Sequence, residues 1–158
     1  MTRRYAYSLG GSRAVDSAPL SKPKNTTILS SIQLDGTLRY TTFSGGTTVE
    51  RFKRYLETDL LPHLNGNSVL IMDNMKSHHA KAVKNLLDSS EIRYIYLPPY
   101  SPDLNPIEKL WSKVKSFLRK FKARTLDALP NTIQCAFQTV SPSNCSGWFH
   151  SCGYSPYF

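Results

Sequence analysis

The chain has 158 residues, enough for about one domain. Its composition, 40% hydrophobic and 11% aromatic, is that of a folded globular chain and excludes a disordered one. Lys and Arg number 20 against 11 Asp and Glu, a formal charge of +9, so polyanions such as nucleic acid are favoured partners.

The longest aliphatic run, Val69-Leu70-Ile71-Met72, is far too short to span a membrane; an anionic membrane surface fits the charge as nucleic acid does, but nucleic acid and no membrane is the partner expected. The first residues, MTRRYAYSLGG, lack the apolar stretch of a secretory signal. Three cysteines without a CxxC pair argue against a disulfide scaffold and a structural zinc site. The four histidines have no zinc-ligand spacing either, and a cytoplasmic location fits.

In chain order, the first 25 residues are polar and loop-like, with weak alternation from Arg4 to Leu9 that suits a short strand. Alternation over Thr26 to Phe43, interrupted by Asp35-Gly36, predicts a β-hairpin. Thr47-Thr48-Val49-Glu50 reads as a capping box with Thr47 at the N-cap. Val49, Phe52, Leu56, Leu60 and Leu64 then recur at helical spacing until Asn65-Gly66-Asn67.

Ser68 to Met72 predicts a short buried strand ending at Asp73-Asn74, and Ala80, Val83, Leu86 and Leu87 predict a helix. Ile92 to Leu97 predicts a second short strand, followed by a proline-rich loop over 98–106. Asn105 at the N-cap and Pro106 at the first helical position start a long helix reaching about Phe121. Its apolar stripe is Ile107, Leu110, Trp111, Val114, Phe117, Leu118 and Phe121. A last helical pattern, Leu126 to Val140, contains Pro130, where the helix starts or kinks. The remainder, Asn144 to Phe158, reads as an aromatic tail punctuated by Gly and Pro. The order of elements is that of an α/β domain with a mixed sheet flanked by helices.

Sites in open α/β sheets form at the carboxyl ends of strands, and Asp73 ends one. The loop after the next strand leads to Glu108 in the first turn of the long helix, so the two carboxylates can meet at one sheet edge. Paired carboxylates on rigid elements suit magnesium, and two ions about 4 Å apart would clamp a phosphodiester in transfer. Like-charge repulsion would then raise the pKa of one of them. Simpler readings stand beside this one. Asp73 suits a turn, Glu108 a capping box with Asn105, His78 a surface or turn histidine, and Asp103 a local turn. On a helical wheel Glu108, Ser112, Lys115, Arg119 and Lys122 fall within about 40° of one line, with Lys109, Lys113 and Lys120 on a second. A carboxylate heading a basic stripe suits a metal site with a phosphate track; a solvated face would look the same.

The segment Val69 to Asn74 with His78, the loop Leu97-Pro98-Pro99-Tyr100-Ser101-Pro102-Asp103-Leu104-Asn105-Pro106-Ile107-Glu108, and Leu110-Trp111-Ser112 with Lys115 closely resemble the DDE transposases of the mariner superfamily. The bacterial insertion-sequence branch is the nearest in likeness. The 34 residues between Asp73 and Glu108 agree with that superfamily, and Cys145 to Tyr154 is similar to its C-terminal segment.

The resemblance implies a ribonuclease-H-like fold, with a catalytic core at about 26–122 and a C-terminal helix and tail at 123–158. It implies divalent-metal-dependent cleavage and transfer of DNA strands at transposon ends, with two Mg2+ or Mn2+ ions on an Asp-Asp-Glu triad. Asp73 matches the second acid and Glu108 the third, while Lys113, Lys115, Arg119 and Lys122 would contact DNA. The first acid belongs to a central strand upstream of the segment like Arg3-Arg4-Tyr5-Ala6-Tyr7. Asp16, in a polar loop, and Asp35, in the hairpin turn, do not replace it. The expectation is therefore a domain truncated at its N-terminus, without its first strand and inactive alone. It would pair with the upstream half of a split transposase or with a second copy, and be nucleoid-associated when on DNA. The alternative is a non-catalytic DNA-binding or dimerising fragment that modulates the full-length transposase; an unrelated ribonuclease-H-like nuclease is a third reading.

Overall fold

The computed structural model describes residues 7, 8, 10, 12–15, 25–121 and 128–154. Strands β1 (Thr26–Ile32) and β2 (Leu38–Ser44) form the expected antiparallel hairpin, with Thr26 opposite Ser44 and Ile32 opposite Leu38. At its turn the Asp35 carboxylate accepts from the Thr37 N–H at 2.8 Å. Gly36 has φ +93°, and a Cβ there would lie 2.8 Å from the Pro142 backbone. Both the left-handed conformation and the close approach require glycine.

Helix α1 (Val49–Tyr55) is capped by Thr48, whose hydroxyl accepts from the Arg51 N–H. The cap is therefore one residue later than the Thr47 expected from sequence, and Glu50 is the second helical residue. Arg51 fastens the helix to the hairpin. Its guanidinium donates to the Ser44 and Gly46 carbonyls at 2.8 and 2.9 Å and lies over the Phe43 ring. The helix continues as a π-turn over Leu56–Leu60 and a 3₁₀ turn over Leu61–His63. This widening is not legible as periodicity, and it keeps both Leu56 and Leu60 buried.

Strands β3 (Val69–Met72) and β4 (Arg93–Tyr96) pair in parallel, joined by helix α2 (Lys81–Ser89). Among the described residues the four strands make two separate pairs, β1–β2 and β3–β4, rather than one continuous sheet. A 3₁₀ turn (Pro102–Leu104) leads into α3 (Pro106–Lys120), which begins with Asn105 at its N-cap as expected. Leu110, Val114 and Leu118 are its buried face, whereas Phe121, expected on the stripe, is 58% exposed and stacks on Phe117.

Helix α4 (Ala128–Gln138) is described from Ala128, with Pro130 in its first described turn. Its Phe137 ring stacks on Tyr40 of the hairpin at 4.1 Å. Helix α5 (Pro142–Ser151) lies where a non-helical tail was expected. Ser141 and Asn144 form a reciprocal capping box and Pro142 takes the first helical position, a start signal that outweighs the weak apolar pattern. Of the weak strand pattern from Arg4 to Leu9, only Tyr7 and Ser8 are described, and neither is in a strand.

The apolar interior is in two parts. One joins α1, the π-turn, β3 and α2 through Phe52, Leu56, Leu60, Met72, Val83 and Leu87. The other joins α3 and α4 through Leu110, Val114, Ile133 and Phe137. Strand β1 touches both, Leu29 in the first and Ile28 and Ile32 in the second. Tyr55 also bridges, its buried hydroxyl donating to the Arg39 carbonyl at 3.2 Å and accepting from the Ser31 hydroxyl at 3.0 Å. Burial pushes its pKa up to about 12. No helix among the described residues is long and apolar enough to cross a membrane.

Candidate active site and nucleic-acid interface

Asp73 leaves the carboxyl end of β3 immediately after the buried Met72. One carboxylate oxygen, Oδ1, accepts from the Met75 N–H at 3.0 Å and meets His78 Nδ1 at 2.8 Å. The Asp73 side chain is 51% exposed and that of His78 only 12%. His78 is held in turn by its backbone carbonyl, which accepts from Tyr96 Oη at 2.8 Å, and by its ring against Phe52. The neighbouring His79 meets the Asn74 side chain and the Tyr96 ring.

The His78 hydrogen bond, aided by the Met75 amide and by imidazole charge, holds the Asp73 carboxyl below its ordinary value, against an opposing contribution from burial. Repulsion between two carboxylates would have had the opposite sign, and Asp73 does not show it. The turn reading of Asp73 is correct as local geometry, and the side chain stays half-exposed.

Glu108 is exposed in the first turn of α3. The capping-box reading fails here. The Asn105 N–H donates to the Pro102 carbonyl at 3.2 Å, and the Asn105 side chain accepts from Ile107 rather than from the third helical residue. The Glu108 carboxylate is thus not needed to close the helix start. Asp73, His78, Asn105 and Ile107 line one cavity of about 550 Å3, so the end of β3 and the start of α3 open on the same space, while Glu108 lies just outside that lining.

The donor chemistry is hard carboxylate oxygen on the ends of rigid elements, which suits Mg2+ or Mn2+ with several retained waters. Among the described residues no group of three or more His, Cys, Asp or Glu side chains is placed to hold a metal.

Lys115 and Arg119 are exposed along α3, in line with Glu108 as the wheel predicts. Lys113 is half-buried, and its ammonium donates to the Thr139 carbonyl and the Asn144 side chain, both at 2.6 Å. It therefore ties α3 to the start of α5. Lys109, Lys113 and Lys120 line an open groove of about 600 Å3 with Phe117 and Trp148. Lys122, also expected to contact phosphate, lies outside the described residues. Sequence reasoning underrated His78 and did not find Tyr96; the paired His78-His79 a few residues after a strand-terminal Asp was the available signal.

An α/β domain with, among the described residues, two small sheets, five α-helices and carboxylates at a strand end and a helix start belongs to the class of ribonuclease-H-like folds. Solved structures support this at low identity. The Mos1 strand transfer complex superposes with TM-score 0.77 at 20% identity, covering 95% of this chain and 46% of that one. The Mos1 paired-end complex with left transposon end gives 0.78 at 19%, covering 95% and 47%. The Mos1 mariner paired end complex with Mn gives 0.75 at 20%, covering 96% and 48%.

Residues 1–130 match the DDE superfamily endonuclease family, and the chain belongs to it. Among curated relatives, the Tc1 transposase of Caenorhabditis elegans is 27% identical over 97 residues, 59% of this chain and 36% of that protein. The Tcb2 transposase of Caenorhabditis briggsae is 31% identical over 75 residues, 48% of this chain and 28% of that protein. The chain thus spans about a third of the length of these relatives.

Proposed function

We propose that this chain is part of the catalytic domain of a transposase and acts in divalent-metal-dependent cleavage and transfer of DNA strands at transposon ends. The observation that carries this reading is the common cavity reached by Asp73 at the end of β3 and by the first turn of α3, in a member of the DDE superfamily. The proline-rich loop over 98–106 supports the insertion-sequence branch as its place within that family. We take 26–122 as the core and 123–158 as an appended C-terminal part, in a cytoplasmic protein that becomes nucleoid-associated on DNA.

In this reading Asp73 and Glu108 hold Mg2+ or Mn2+. When bound, the cation neutralises charge on the phosphodiester and lowers the pKa of an attacking water. Asp73 presents Oδ2 while His78 and the Met75 amide fix its Oδ1. Lys115 and Arg119 extend from Glu108 as phosphate contacts, with Lys122 as a further member, whereas the Lys113 ammonium, expected to contact DNA, is engaged by Thr139 and Asn144. Two carboxylates are one fewer than the triad implied by the resemblance, so the chain alone is expected to nick DNA poorly. It would act with the upstream half of a split transposase or in a homodimer.

Among the described residues no third carboxylate joins them in a metal-holding group, which favours a second reading, a non-catalytic DNA-binding or dimerising fragment that modulates a complete transposase. Thermal unfolding with and without Mn2+, beside nicking of a supercoiled plasmid, separates the two. Metal held by both carboxylates raises the midpoint by several degrees at about a hundredfold excess over Kd, and the rise is absent in Asp73→Asn and Glu108→Gln. Equal stabilisation of wild type and both variants would leave only the DNA-binding reading.

A further inference from the structure

The loop between β4 and α3 connects the two elements that carry the carboxylates of the site. Leu97 N–H donates to the Met72 carbonyl at 2.8 Å, so the loop leaves the β3–β4 sheet at the same edge as Asp73. Its far end is held by Tyr154, whose hydroxyl donates to the Leu104 carbonyl at 2.9 Å. Asn105 then caps α3, and Glu108 follows in the first turn.

Between these anchors the chain has little freedom. Pro98, Pro99, Pro102 and Pro106 fix their own φ, and each restricts the residue before it, which covers Leu97, Ser101 and Asn105. Asp103 and Leu104 are held in the 3₁₀ turn, which the Leu104 N–H closes on the Ser101 carbonyl. From 97 to 106 only Tyr100 escapes these restraints, and its φ is +58°. Glycine or asparagine takes this left-handed conformation at less cost, whereas a bulky side chain there is strained. The Tyr100 side chain is also 102% exposed, so the strain is not offset by packing within the chain. Such strain collects where a ligand is met.

We propose that Tyr100 is a stacking platform for a nucleobase left unpaired at the end of a DNA strand, beside the phosphodiester that the site acts on. The stiff loop holds the ring in place beforehand, so little ordering is needed when the base arrives. A phenol ring stacks on the face of any base, and a base without a partner offers that face most freely. The charge of +9 attracts the phosphates of paired and unpaired DNA alike, so it is the ring that tells them apart. This assignment rests on the reading of DNA as the ligand. It does not depend on a metal at Asp73 and Glu108.

Binding of the full chain in the presence of a chelator tests this. The probes are a short blunt duplex and the same duplex with one unpaired 2-aminopurine at a 3′ end. The overhang duplex is expected to bind at least about fivefold tighter, with quenching of the 2-aminopurine as it stacks. Tyr100→Phe keeps both effects. Tyr100→Asn suits the left-handed conformation, so its thermal midpoint is not below that of wild type, yet the preference and the quenching are lost. Lys115→Ala weakens binding of both duplexes by the same factor, because it meets phosphate and not the base. Equal binding of the two duplexes by wild type overturns the proposal and leaves DNA binding by the basic flank standing, as does a preference that survives in Tyr100→Asn. Self-association of the chain that is lost in Tyr100→Asn also overturns it, since the ring would then meet protein. Binding to neither duplex overturns both this assignment and the reading on which it rests.

Discussion

Asp73 holds the turn after β3 through Oδ1 while its side chain stays half-exposed. Its acidity records that hold. The folded-state pKa lies below the unfolded value of about 3.9, because the ionised form is hydrogen-bonded by His78 and Met75. A depressed carboxylate contributes stability that is fully present above the unfolded pKa and is lost as pH falls through the folded one. Asp73→Asn is therefore expected to be less stable than wild type near neutrality, with the gap closing in acid below about pH 4. The half-exposed carboxylate makes the difference small, and midpoints measured from pH 7 down to pH 3 check it. A gap that is constant across that range would mean that the loss comes from turn geometry and not from charge. Solvent exposure of Glu108, together with the Asn105 N–H bond to Pro102, leaves that side chain without a capping duty. Glu108→Gln should accordingly change stability little in the absence of metal.

Helix α3 joins both aspects of the site, since its first turn carries Glu108 and its exposed flank carries Lys115 and Arg119. Each phosphate contact contributes about −0.9 to the slope of log K against log salt. Alanine at both positions is expected to reduce the slope for duplex DNA by about 2, and titration between low and physiological salt reads it. An unchanged slope would make this flank a solvated face. Lys113→Ala differs in kind, because its ammonium holds Thr139 and Asn144 and its loss loosens α5. The wheel could not tell these lysines apart, as it reports angle about one axis and not what lies opposite. The same limit explains other differences. The hairpin, β3, α2, β4 and the start of α3 were legible because burial imposes their periodicity and Asp-Gly and Asn-Pro punctuate them. Helix α5 was not, because its apolar stripe is thin and its start rests on the local Ser141–Asn144 capping box. That β1 and β3 do not pair with each other among the described residues follows from no local period. The contact of His78 with Asp73 depends on the turn over 73–80, which no period describes.

The molecule as a whole is two packed halves that meet along β1. Phe52, Leu56, Met72, Val83 and Leu87 form one interior, and Leu110, Val114, Ile133 and Phe137 the other. The cavity of about 550 Å3 is lined from both, by Phe52 and Leu56 on one side and Ile107 and Trp111 on the other, so packing between the halves is interrupted there. Cooperativity of unfolding depends on such continuity, and halves joined through a thin seam open separately. Leu87 and Ile133 are 0% and 2% exposed, one in each half, and truncation to alanine at such sites costs about 2–5 kcal/mol. Leu87→Ala is expected to lower the opening free energy of amides in α1, α2 and β3 by about that amount. Amides of α3 and α4 should fall by less than half as much, and Ile133→Ala should give the converse pattern. Native-state hydrogen exchange at low denaturant resolves the two sets of amides. An equal fall across all five helices in both variants would show that β1 and Tyr55 couple the halves into one cooperative unit, despite the cavity lined from both.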